Sequence, residues 1–115
     1  MSLVLVADPI AEDGLALLRP HARVEVVAGD PGALQRHLAT ADALLVRSET
    51  RVTAALLEAA PSLRVIGRAG AGVDTIDVDA ATTRGIVVVN APGGNAVAAA
   101  EHTLALMFAL ATHSR

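Results

Sequence analysis

Cysteine is absent from this chain. Disulfide bonds, thiolate nucleophiles and sulfur-based metal sites are therefore excluded. Aromatic residues are nearly absent, since Phe108 is the only one. A core without rings must be built from Ala, Val, Leu and Ile, which suits close packing of helices on a sheet. Basic charge is not in excess either. The formal net charge is −3 over 115 residues, and no Lys/Arg run marks a nucleic-acid or anionic-membrane face. The apolar run at residues 104–111 is well short of the about 20 residues a membrane-spanning helix needs. No basic stretch precedes an apolar one at the N-terminus, so no signal peptide is expected and the cytoplasm is the expected location.

What remains is an apolar chain, 53% hydrophobic by composition, of the length of one domain. A domain of this size buries roughly two-thirds of the surface its unfolded chain exposes. Five short β-rich runs stand out, at residues 3–7, 24–27, 43–46, 63–66 and 86–89. Each is nearly continuous in apolar residues, as strands covered on both faces are. Helical segments fill the gaps. One is expected over 10–18. A second runs from Pro31 to about Thr40 behind an Asp30 N-cap. A third covers 54–60, capped by Thr53 and stopped by Pro61. A fourth covers 78–84, capped by Asp77, with Gly85 at the left-handed C′ position. The last runs from Ala96 to about Thr112 behind Asn95.

Five βα repeats with right-handed crossovers predict an α/β domain of three layers. The commonest strand order for five such strands is the flavodoxin-like 2-1-3-4-5. Ligands of such sheets bind beyond the carboxyl ends of the strands. Three groups stand at those ends. Arg47-Ser48 could grip a carboxylate or phosphate, or be a solvated arginine beside a turn serine. Gly70-Ala71-Gly72, after Gly67-Arg68-Ala69, could form an anion-binding nest of N–H groups, or a purely structural turn. Asn95 could face a ligand at a helix N-terminus while also capping that helix.

The glycines do not make a dinucleotide fingerprint. Thr75 stands where the third glycine belongs, and the turn follows the fourth strand rather than the first. No cofactor site is expected in this chain. The histidines, His21, His37, His102 and His113, have no metal-ligand spacing, so no metal is expected. Glu101 and His102 are adjacent in a helix and point different ways. No nucleophile elbow or Walker A loop is present, and no catalytic residue is assigned.

Taken in order, these motifs resemble the D-2-hydroxyacid dehydrogenases, most closely those acting on D-3-phosphoglycerate. The matching stretches are Val46-Arg47-Ser48-Glu49-Thr50-Arg51-Val52-Thr53, residues 63–74, and residues 79–95 with Asn90-Ala91-Pro92-Gly93-Gly94-Asn95. Residues 99–107 follow. The resemblance covers essentially the whole chain. It implies that residues 1–94 are a flavodoxin-like substrate-binding domain and that 95–115 are a crossover helix leading to an NAD-binding domain absent here. It implies that Arg47, Ser48 and Arg68 hold a small anionic hydroxyacid, that Gly70, Ala71 and Gly72 face its carboxylate, and that Asn95 lines the cleft. The family's dinucleotide fingerprint, catalytic arginine and Glu–His pair have no equivalent here, so the chain reads as a fragment, inactive alone. The resemblance also implies a homodimer through the 95–112 helix.

Two other readings compete. A free-standing flavodoxin-like binding module is one, although Arg47-Ser48 stands where a receiver domain needs its phosphorylated Asp, and Asp8-Pro9-Ile10 is no phosphate loop. An engineered folding unit without catalysis is the other. The last helix, apolar almost all round, is expected to cover a sheet face that it does not cover in the parent enzyme, or to do so in a second chain.

Overall fold

Alternation within each strand builds two cores from one sheet. The computed structural model describes residues 2–70, 75–91, 93 and 95–113. Its strands are β1 (Leu3–Val6), β2 (Arg23–Val26), β3 (Ala43–Val46), β4 (Val65–Ala69) and β5 (Val87–Ala91). All pair in parallel, in the order β2-β1-β3-β4-β5, the expected flavodoxin-like arrangement. Leu3, Leu5, Leu44, Val46 and Ile66 face one core, while Val4, Val6, Leu45 and Val65 face the other. That is the period-2 pleat of a strand covered on both sides.

Helices α1 (Glu12–Leu18) and α5 (Ala96–His113) cover the second face, and α2 (Pro31–Leu38), α3 (Ala54–Glu58) and α4 (Val78–Thr83) cover the first. The expected caps are present. Side chains of Asp30, Thr53, Asp77 and Asn95 accept hydrogen bonds from the N–H groups of Ala33, Leu56, Ala80 and Ala98. Each satisfies one of the donors a helix start leaves open. Gly85 follows α4 with φ of +73°, a conformation that glycine adopts without a Cβ penalty.

Three expectations need correction. The reading of all five strands as covered on both faces fails at the edges. In β2, Arg23 and Val26 are exposed, and in β5 Val87 is exposed, because an edge strand lacks a neighbour on one side. The fourth strand runs on through Gly67, Arg68 and Ala69, since β3 and β5 both continue the ladder beside them. The first helix begins at Glu12 rather than residue 10, because Ala11 is the N-cap, with extended ψ.

The last helix is buried within its own chain. Its first turn meets α1 so closely that a Cβ on Gly14 would lie 2.7 Å from the carbonyl oxygen of Ala96. Its middle lies on β4, where Thr103 is fully buried and donates its hydroxyl to Ala99 O at 2.7 Å. Its end is held from the sheet by Arg64, whose Nη2 donates to Leu110 O at 2.7 Å. Burial is not all round: Phe108 remains 55% exposed, its ring edge-on to His21 at 5.7 Å. Among the described residues, no helix is long and apolar enough to cross a membrane, and no group of three His, Asp or Glu could hold a metal ion.

Candidate functional site

The carboxyl edge of the sheet divides by charge. On the β1–β2 side, an open pocket of about 220 Å³ is lined by Asp8, Asp30, Glu49 and Thr50, with Gly29 and Leu34. It lies beyond the carboxyl ends of the strands, beside the β1/β3 switch point that is the usual ligand crevice of this fold. Its carboxylates make it a poor place for an anion. The arginines stand on the other side, at the ends of β3 and β4.

Arg47 is exposed at the end of β3, followed by exposed Ser48. The Ser48 hydroxyl donates to Glu49 Oε1 at 3.0 Å. The backbone here is held from β1. Asp8, 2% exposed, accepts from the Arg47 N–H at 2.7 Å and from the Thr50 N–H at 3.1 Å, both on Oδ2. Its Oδ1 accepts the Thr50 hydroxyl. The arginine and serine thus project from a turn whose two ends are fixed to one carboxylate. Sequence reasoning noted Asp8 only as a strand end. An aspartate between an apolar strand and a proline was the one local signal.

Arg68 sits differently. It is 5% exposed, and its register neighbours are Val46 on β3 and Asn90 on β5. Its Nε lies 3.5 Å from Thr75 Oγ1. Its Nη1 lies where a Cβ on Gly70 would come within 2.8 Å. Glycine at 70 therefore makes room for the guanidinium as much as for any ligand. Among the described residues, the buried Asn90 Oδ1 has no hydrogen-bond partner. Asn95 is exposed, and its Oδ1 is taken by the Ala98 N–H at 3.0 Å. Ala71 and Gly72 lie outside the described residues.

The structure thus brings Arg47, Ser48, Arg68 and Gly70 to one sheet edge, with one arginine free to meet solvent and the other enclosed. An exposed guanidinium beside a hydroxyl can take a carboxylate or phosphate in paired hydrogen bonds.

The turn after β1 does not suit the pyrophosphate of a dinucleotide. This turn, where such a fold takes a pyrophosphate on a helix N-terminus, carries the buried carboxylate of Asp8 and has no glycine before α1. The first turn of α1 adds Glu12 and Asp13, which repel phosphate.

Comparison with known proteins agrees with this fold. Residues 4–114 match the model of the D-isomer specific 2-hydroxyacid dehydrogenase catalytic domain. The D-3-phosphoglycerate dehydrogenase of Archaeoglobus fulgidus is 52% identical over 110 residues, covering 94% of this chain. That of Synechocystis is 49% identical over 114 residues, covering 98%. The chain spans 21% of the length of each of these two relatives. Among solved structures, the NAD+-bound 3-phosphoglycerate dehydrogenase of Entamoeba histolytica superposes with a TM-score of 0.68 at 28% identity. That match covers 80% of this chain and 33% of the other.

Proposed function

The chain belongs to the D-isomer specific 2-hydroxyacid dehydrogenase family, and we propose that it is the N-terminal substrate-binding part of an NAD-dependent D-3-phosphoglycerate dehydrogenase. In this reading the reaction is the oxidation of 3-phosphoglycerate to 3-phosphohydroxypyruvate, in serine biosynthesis in the cytoplasm. The carrying observation is the exposed Arg47-Ser48 pair on a fixed turn, in a chain about half identical to enzymes of that name. Arg47 supplies the positive charge for the substrate anion. Ser48 turns its hydroxyl from Glu49 to the ligand. Arg68 stiffens the neighbouring strand end and adds positive potential. NAD brings the hydride acceptor and is bound outside these residues, so no catalytic step falls to this chain alone.

An NMR titration with 3-phosphoglycerate tests the reading. Shifts should centre on residues 47–48 and 68–70. Half a cleft leaves the ligand wet and the charges screened, so the dissociation constant should be on the order of millimolar. Shifts centred elsewhere would overturn the assignment.

The same reading includes a homodimer through α5. Phe108 and, on α1, Leu17 are the large apolar side chains left exposed on these two helices. Apolar surface of this kind favours association. Light scattering over a concentration series should show a dimer that Phe108→Glu dissociates. A monomer at every concentration would end the proposal.

A further inference from the structure

Buried carboxylates are costly unless their oxygens are paired or hydrogen-bonded. Asp8 is 2% exposed and, among the described residues, forms no ion pair. The residue before it, Ala7, is apolar and buried. An apolar side chain would fill such a place at less cost. What an apolar side chain cannot do is accept hydrogen bonds. Asp8 accepts three: from the N–H of Arg47, the N–H of Thr50 and the hydroxyl of Thr50.

The three donors share a purpose. They bracket residues 47–50 at both ends, and they come from the turn after β3 while the aspartate follows β1. Thr50 adds only a long contact to Ala7 O at 3.5 Å, and the Ser48–Glu49 bond lies within the turn. The carboxylate after β1 is thus the main anchor of the turn that presents Arg47 and Ser48. A bracket of this kind restricts the backbone from which an anion-binding side chain extends, and a pre-organised side chain loses less entropy on binding. We propose that Asp8 is a positioning residue: it acts on the substrate anion through Arg47 and does not touch it. The proposal rests on the assignment of Arg47 to the substrate.

The test is a double-mutant cycle on the 115-residue chain with two readouts. The first is hydrogen exchange at the Arg47 and Thr50 amides. In Asp8→Ala it should rise at least about tenfold, while the β4 amides keep their protection. Asp8→Asn keeps an acceptor oxygen and gains a donor for Thr50 Oγ1, so it should preserve the slow exchange. The second readout is affinity for 3-phosphoglycerate. Asp8→Ala and Arg47→Ala should each weaken binding several-fold, and the double variant should be little worse than Arg47→Ala, because two residues acting through one contact do not add. Asp8→Asn should bind within about twofold of the parent. Additive losses, or unchanged exchange at Arg47 and Thr50, would overturn the proposal. If Asp8→Ala does not fold, Thr50→Val removes one of the three bonds at nearly constant volume. It should then speed exchange at Arg47 and weaken binding, and no change in either would count against the bracket. A parent chain that does not bind at residues 47–48 sinks the substrate assignment, and the exchange arm then decides the bracket by itself.

Discussion

A methyl group on Gly67 would overlap the hydroxyl oxygen of Thr103, and would also come within 2.9 Å of Leu45 Cδ2. Strand β4 and helix α5 therefore meet at this point with the Thr103 side chain in the place a Cβ on residue 67 would take. Gly67→Ala should lower unfolding stability by about 1–3 kcal/mol, the usual cost of overpacking a close contact. Adding Thr103→Ala should recover part of that loss, because Leu45 is the end of a flexible side chain and can turn aside. Urea unfolding with an unchanged slope is the measurement. Equal stability of Gly67→Ala and the parent would show that the helix is not held this close.

The two arginines should separate in their effects. Arg47→Ala removes an exposed side chain and should change stability by no more than about 0.5 kcal/mol while weakening binding of 3-phosphoglycerate several-fold. Arg68→Ala removes a buried side chain and should cost about 1–3 kcal/mol in addition to weakening binding. Thermal unfolding and the NMR titration, run on both variants, give the comparison. Arg47→Ala that binds as the parent does would remove it from the site.

Arg64 ties the far end of α5 to the sheet through Leu110 O. Arg64→Met keeps most of the apolar stem but removes the donor. The expected loss is about 1 kcal/mol, with faster hydrogen exchange confined to the last turns of α5. Uniformly faster exchange along the helix would mean that the bond matters to the whole helix rather than its end.

No hydride transfer is expected from this chain alone. Holding cofactor and substrate together supplies much of the rate of such a reaction, and in the proposed reading the cofactor is bound outside these residues. Mixed with NAD and 3-phosphoglycerate, the purified chain should form no NADH above a buffer blank. NADH formation that disappears when the protein is removed would contradict this.

The features legible in the sequence were those set by near neighbours in the chain. An N-cap bonds an N–H three residues on, so Asp30, Thr53, Asp77 and Asn95 could be read from local pattern. Strand order followed from the βα rhythm and crossover handedness. Features set by distant residues were not legible. Gly67 and Arg68 read as the start of a turn because glycine is rare inside strands; in the structure β4 includes both, with α5 lying where a side chain on residue 67 would be. The run at 86–89 reads as covered on both faces, yet in β5, an edge strand as the expected order has it, Val87 is exposed. Arg68 is enclosed by tertiary contacts, and so could not be told apart from Arg47. Asp8 organises a turn that lies far away in the chain.

The close junction between β4 and α5 bears on synthesis. A ribosome delivers α5 after every strand of the sheet. Before it arrives, Leu45, Val65 and Ala69 lack one of the two helices that cover their face. The nascent sheet then presents an oily strip with a glycine at its centre. Such a strip is a surface that chaperones grip and that neighbouring nascent chains stick to. Burial of that strip therefore waits for the descent of one helix onto a furrow, with Gly14 and Gly67 as places where it comes down closely.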